Sequence, residues 1–188
     1  MRHGATRWSE SGRHTGSTDV PLIGAGRAAA QSVRKALQGH DFAAVLTSPL
    51  SRARETCELA GFGANAQLVD DLREWDYGEV EGVTTDEMRE RISGWTVWRD
   101  GCPGGETIEQ VGRRADHVIS IAAEVTDGDT VAFAHGHVLR VIGARWTAQP
   151  ASYAERLLLS TAAICVLGWE RETPAIDRWN DTSHLRAG

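Results

Sequence analysis

The chain has few cysteines, only Cys57, Cys102 and Cys165 in 188 residues, and they lie far apart. An odd, scattered set excludes a disulfide framework and argues for a reducing compartment. No apolar run reaches the roughly 20 residues that span a bilayer, and no stretch reads as a secretory leader. A cytoplasmic location without a membrane partner is expected. Positive charge is also scarce: the net charge of −6 leaves no general basic field for nucleic acid, so an anion site must be local. Repeats, low-complexity tracts and linkers are absent, so residues 1–188 read as one domain. At 41% hydrophobic and 24% charged residues, such a chain can bury a proper core. Seven tryptophans include Trp8, Trp75, Trp95 and Trp98 in loop-like contexts, fit to seal a small domain or wall a pocket.

The pattern predicts alternating helices and strands. Residues 5–23 are rich in Gly, Ser, Thr and Asp and read as a long loop, a kind that is usually functional. A helix follows over 25–38, with Ala29, Val33, Ala36 and Leu37 on one side and Gly39 as its stop. Ala43 to Leu46 is a short apolar run for a buried strand. Ser48-Pro49 then reads as a helix N-cap and first turn, with the helix reaching about Leu59. Gln67 to Val69 is a short strand, and 72–83 has no period. Thr84 and Glu87 form a capping box for a helix through Ile92.

Trp95, Trp98 and Cys102-Pro103-Gly104-Gly105 make a second loop. Ile108, Val111, Ala115, Val118, Ile119 and Ala122 mark a long amphipathic helix. Thr130–Ala134 is a buried strand, and helical spacing resumes over 138–146. Leu157–Leu159, Ala163–Trp169 and Ala175–Trp179 read as strands, the last two as a hairpin. Together this predicts an α/β fold, a three-layer sandwich whose central sheet is mostly parallel with helices on both faces.

Three basic segments fall just past predicted strands or at the chain start: Arg2-His3-Gly4, Arg52 in Ser48-Pro49-Leu50-Ser51-Arg52, and His135 in Ala134-His135-Gly136. In open α/β sheets ligands bind outside the carboxyl ends of strands. Arg52, in the first turn of a helix, could grip an anion with its forked guanidinium or could simply be an exposed arginine. His135 before a glycine at a strand-to-helix change is poorly explained as a core residue. His137 invites a metal, but no partner has ligand spacing to it. Neutral imidazole is a competent nucleophile toward phosphorus, and an adjacent Arg2 would neutralise the transferring oxygens. Glu74, Glu81 and Glu106 are open candidates for a general acid.

Several motifs in this order carry a resemblance. They are Arg2-His3-Gly4-Ala5-Thr6 with Trp8, Thr15-Gly16, Asp19-x-Pro21-Leu22 and Thr47-Ser48-Pro49-x-x-Arg52-Ala53-x-x-Thr56. Leu72-x-Glu74 with Gly78, Glu81-Gly82 and Ala134-His135-Gly136 complete the set. Over essentially the whole chain the sequence resembles the histidine phosphatase superfamily, in its phosphoglycerate-mutase-like branch. The resemblance implies His3 as the phosphorylated nucleophile, with Arg2, Arg52 and His135 forming the phosphate pocket. It implies Glu74 as the acid that protonates the leaving oxygen, and Ser9 and Thr15 as loop residues touching substrate. Arg73-Glu74-Trp75-x-Tyr77-Gly78, with Trp98-Arg99-Asp100-Gly101-Cys102-Pro103-x-Gly105-Glu106, resembles the acid phosphatase and sugar-bisphosphatase subgroup.

The implied activity is hydrolysis of small phosphorylated metabolites as phosphomonoesters through a phosphohistidine, without metal or cofactor. A phosphoglycerate mutase is the alternative within the family, and an inactive module that binds phospho-ligands is the alternative of another class. Two departures stand out. Ala5 occupies a position where the family usually has Glu, and only Met1 precedes Arg2-His3 where the family has an apolar central strand. The second leads to the expectation that the natural protein begins several residues upstream.

Two further motifs carry little. Gly24-Ala25-Gly26-Arg27-Ala28-Ala29 meets the loose dinucleotide pattern but lacks a clean preceding strand and a following acidic residue. The spacing from Cys165 to Arg171 is that of cysteine phosphatases, but Val-Leu-Gly-Trp-Glu between them is too bulky to cradle an anion.

Overall fold

A computed structural model describes residues 1–186. Strands β1 (Phe42–Thr47), β2 (Ala66–Leu68) and β3 (Asp129–Phe133) form a parallel sheet in the order β2-β1-β3, and β4 (Ile164–Glu170) and β5 (Thr173–Asp181) form an antiparallel hairpin. Met1–His3 lies between the two. The Met1 amine donates to Ala132 O at 2.8 Å and His3 N to Ala134 O at 2.9 Å, while Arg2 N donates to Ala163 O at 3.3 Å on the other side. Arg2 pairs in parallel with Ala134, so His3 is held directly beside the end of β3.

The helices are α1 (Arg7–Glu10), α2 (Gly24–Ala36), α3 (Ser51–Leu59), α4 (Thr85–Arg91), α5 (Val97–Asp100), α6 (Ile108–Ala123) and α7 (Gly136–Trp146). Side chains alternate across a strand, and here that splits the core in two. Val45, Val131 and Phe133 pack with Val33 and Cys57 on the α2–α3 face. Leu46, Ala132 and Ala134 pack with Val111, Ala115 and Val141 on the α6–α7 face. The fold is therefore the expected three-layer α/β arrangement, with helices on both faces of a parallel sheet.

Most predicted elements form, and the differences have local causes. The Thr84–Glu87 capping box closes α4 as its spacing predicts. Inside the stretch read as a loop, α1 is nucleated by a second box between Thr6 and Ser9. Ser48 is not an N-cap: α3 starts at Ser51, whose N–H and hydroxyl both donate to Asp19 Oδ1, at 2.9 and 2.8 Å. The Ser48 hydroxyl is taken instead by His135 Nε2 at 2.8 Å. Within the second loop, Thr96 caps α5. Leu157–Leu159 forms no strand; the Leu159 and Leu158 carbonyls accept from Arg2 Nη1 and Trp179 Nε1.

Candidate active site

The segment just past the carboxyl end of β3 and the first residues of the chain meet at one cavity of about 370 Å³. Arg2, His3, Ser9, Thr15 and Glu74 line it, as do His14, Tyr77, Trp98, His137 and Arg140. His3 is placed by backbone bonds on both sides of its strand fragment. The turn after it is set by a reciprocal glycine contact, since a Cβ on Gly4 would lie 2.3 Å from Gly26 O, and one on Gly26 would lie 2.2 Å from Ala5 O. Only glycine at both positions lets the His3 turn sit against the start of α2.

The protonation pattern follows from the hydrogen bonds. His3 Nδ1 lies 2.6 Å from Gly4 O. A carbonyl only accepts, so Nδ1 carries the proton and Nε2 keeps a free lone pair. Burial, reinforced by the Arg2 and Arg52 guanidinium groups, holds the His3 pKa well below the ordinary imidazole value. The imidazole is therefore a neutral base and nucleophile at physiological pH.

His135 lies 5.1 Å from His3 between ring centroids, tilted by 58°. Arg52 Nε donates to His135 Nδ1 at 3.1 Å, which puts the other proton on Nε2, where it donates to Ser48. Burial and the nearby Arg52 also keep His135 neutral. Arg52 is fully buried, and its Nη groups donate to the carbonyls of Thr18, Thr15 and Gly16, each at 3.0 Å. Four of its N–H groups are thus committed to protein. Both Arg52 and His135 form the layer directly behind the cavity rather than its lining. The arginine predicted as an exposed alternative is the opposite, a buried keystone of the loop at residues 15–19.

Arg2 does line the cavity. Nη1 donates to Leu159 O at 2.5 Å, but Nε is buried with no partner. An unsatisfied buried N–H on a guanidinium that lines the cavity is an unmet demand for an anion. Burial lowers the Arg2 pKa, with Glu74 opposing that shift.

Glu74 is held at the N-terminus of α7. Its Oε1 accepts from Trp75 N at 3.0 Å and Val138 N at 2.9 Å, and its Oε2 from His137 N at 2.9 Å. These bonds satisfy orphan N–H groups of the helix start and fix the carboxylate near Arg2. Of the three candidate acids, Glu74 lines the cavity. The Glu81 carboxylate accepts from Gly16 N and Thr18 N and so orders the loop around Arg52. Glu106 is paired with Arg114 at 2.7 Å. Ser9 and Thr15 reach the cavity, with hydroxyls engaged by Thr6 O at 2.9 Å and Arg13 O at 3.0 Å.

The pattern reading singled out Trp98 as a pocket wall and His137 as a discounted metal ligand, but not His14, Tyr77 or Arg140. His14 Nδ1 donates to Val83 O at 2.6 Å, leaving its Nε2 free, and His137 Nδ1 meets the Tyr77 hydroxyl. Burial lowers both histidine pKa values, His137 strongly, and raises that of Tyr77 well above its usual value. The signal for His137 was its place two residues after His135, at the start of a helix that leaves a strand end.

A nucleophilic imidazole, an unsatisfied guanidinium and a carboxylate at one strand-end cavity define a site built for phosphoryl transfer on an α/β sandwich. The family model of the histidine phosphatase superfamily (branch 1) matches residues 1–182, and the chain belongs to that superfamily. It is 40% identical over 173 residues to an acid phosphatase of Mycobacterium tuberculosis, covering 90% of this chain and 85% of that protein. It is 37% identical over 177 residues to the sedoheptulose 1,7-bisphosphatase of Saccharomyces cerevisiae, covering 78% of this chain and 65% of that protein, just under two thirds. Among solved structures, one of a Mycobacterium tuberculosis open reading frame superposes with a TM-score of 0.90 at 37% identity, covering 95% of this chain and 94% of the other.

Proposed function

We propose that the protein hydrolyses phosphate monoesters of small metabolites, with the phosphoryl group carried transiently on His3. The two relatives above, a phosphatase and a bisphosphatase, support the reaction class. The observation that carries the mechanism is the His3 Nε2 lone pair, freed by the Nδ1 bond to Gly4 O and kept unprotonated by burial.

Nε2 attacks phosphorus opposite the ester oxygen, and the P–O bond breaks as the N–P bond forms. Glu74, in its protonated form, gives its proton to the departing alkoxide. Water then attacks the phosphohistidine, Glu74 recovers a proton from it, and the N–P bond electrons return to His3. Arg2 supplies charge and an unpartnered N–H to the transferring oxygens. Arg52 and His135 act from behind: their bond fixes the His135 tautomer, and both positive charge and packing bear on His3. Ser9 and Thr15 border the substrate at the loop side. Action in the cytoplasm fits three unpaired cysteines.

The test is turnover of an aryl phosphate in EDTA, with ³²P-labelled enzyme quenched in alkali, which preserves phosphohistidine. Label is expected on the peptide containing His3 and is lost in His3→Ala. Label on serine or cysteine, or turnover that survives His3→Ala, refutes the mechanism. An absence of turnover and of label supports the phospho-ligand-binding alternative.

A further inference from the structure

Glu74 stands in a stretch with no regular structure of its own. Asp70–Leu72 and Gly78–Val80 are short 3₁₀ turns, and residues 73–77 between them are neither helix nor strand. The main-chain groups of such a segment need partners from outside it. Here several come from one ion pair at the start of α6. Arg114 Nη1 donates to Asp71 O at 2.7 Å and to Arg73 O at 2.9 Å. Its Nε and Nη2 donate to the two oxygens of Glu106, each at 2.7 Å, in the forked geometry that a guanidinium and a carboxylate share.

Glu106 closes the other side of the segment. Its Oε2 accepts from Asp76 N at 3.0 Å, its own N–H donates to Asp76 O at 2.9 Å, and its carbonyl accepts from the Trp75 indole at 2.8 Å. The approach is backbone to backbone, since a Cβ on Gly105 would lie 2.2 Å from Asp76 O. Residues on both sides of Glu74 are thus tied to Arg114 and Glu106, while its carboxylate is tied to the start of α7. The base of the device is rigid: Val111, Ala115 and Val118 bury the inner face of α6. With side chains only 17% and 22% exposed, the pair is no surface salt bridge. Neither residue lines the cavity, so neither touches the substrate.

We propose that Arg114, through its pair with Glu106, is a positioning residue for the general acid. The pair sets where the Glu74 carboxyl stands relative to the leaving oxygen, by fixing the main chain on either side of it. The proposal rests on the assignment of Glu74 as the acid. A pair that only stabilised the fold would, once broken, slow every substrate alike. A pair that places the acid slows only those substrates whose leaving group needs the proton.

The leaving-group dependence of kcat/KM, which covers the steps up to the phosphohistidine, separates the two. The substrates are glycerol phosphate, an alkyl ester, and para-nitrophenyl phosphate, an aryl one. Lysine keeps the charge but cannot hold a forked carboxylate and two carbonyls at once. Arg114→Lys should therefore lose about 10-fold on glycerol phosphate and less than about 2-fold on para-nitrophenyl phosphate, within the range that misplacing a catalytic group costs. Glu106→Gln should act in the same direction. It retains an oxygen for Asp76 N and so keeps the test valid where Arg114→Lys unfolds. In a Glu74→Gln background, where no proton is delivered, Arg114→Lys should change the glycerol phosphate rate by no more than about 2-fold.

Equal losses on both substrates, no loss in either variant, or a full further loss in the double variant overturns the positioning role. Loss of folded structure in both variants, read by circular dichroism, assigns the pair to stability alone and overturns it as well. A Glu74→Gln enzyme that does not discriminate between the substrates removes the acid assignment, and the proposal with it. A selective Glu74→Gln beside unselective Arg114 and Glu106 variants removes the proposal alone.

Discussion

Acidification should unfold this protein unusually steeply, and the reason lies in its active site. His3, His135 and His137 are all held well below the ordinary imidazole pKa, burial being the largest cause in each case. In the unfolded chain the same histidines titrate near about 6.5. Below that pH the unfolded state therefore binds protons that the folded state refuses, so stability is full above about pH 6.5 and falls as pH drops toward the lower folded values. Each such group contributes a slope of about 1.4 kcal/mol per pH unit. Three acting together give about 4 kcal/mol per unit. Against a typical net stability of about 5–15 kcal/mol, one to a few pH units below 6.5 would suffice for unfolding. His14 acts with the same sign.

Urea unfolding at constant ionic strength, in steps from about pH 7.5 to about pH 5, measures the slope directly, and a constant m-value confirms a two-state reading. His137→Gln should reduce the slope by about a third, because one of the three refused protons is removed. A stability that stays flat from about pH 6.5 to about pH 5 would show that these imidazoles are not held neutral. The nucleophile argument would fall with it.

Glu74→Gln should slow alkyl phosphates by about 10²–10⁴-fold and aryl phosphates far less, since a good leaving group needs little protonation; equal losses would remove Glu74 from the acid role. The same variant turns an acceptor oxygen into a donor facing helix N–H groups and should cost about 1–3 kcal/mol by urea titration. Gly4→Ala should cost at least several-fold in activity with a lowered melting temperature, because its Cβ would meet Gly26 O at 2.3 Å; an unperturbed enzyme would mean the turn is not clamped. Cys57 and Cys102, their thiols pushed up to about 12 by burial, should resist iodoacetamide at neutral pH in the native state and react in urea, as mass spectrometry would show.

The sheet and its flanking helices were legible because their signals are local. Ala43–Leu46 and Thr130–Ala134 are short apolar runs, and Val111, Ala115 and Val118 repeat at helical spacing. Arg2, His3 and Glu74 could be named because the motif keeps them in order along the chain. What tertiary contact decides was not readable. The capping box at Thr6 and Ser9 lacks the Glu or Gln that makes such a box visible. Ser48 looks like a cap in sequence and is claimed by His135 from 87 residues away. Without the motif, the choice of Glu74 over Glu81 and Glu106 depends on which of them meets the start of α7, and only packing determines that. Arg89 and Arg140 sit inside helices like any surface arginine, and nothing in the pattern says that both turn toward one cavity.

The clamp between Gly4 and Gly26 has a consequence for how such an enzyme can acquire new substrates. The nucleophile is registered by main-chain bonds to Ala134 and Ala162 and by a glycine contact with α2. The far wall comes from the side chains of His14, Tyr77, His137 and Arg140 and from residues 85–98, none of which makes those bonds. Replacing the far wall therefore leaves the reacting atoms where they are, so selectivity can drift by single substitutions while the phosphoryl chemistry is inherited intact. A scaffold arranged this way behaves as a common socket into which different metabolites are fitted by changing one rim.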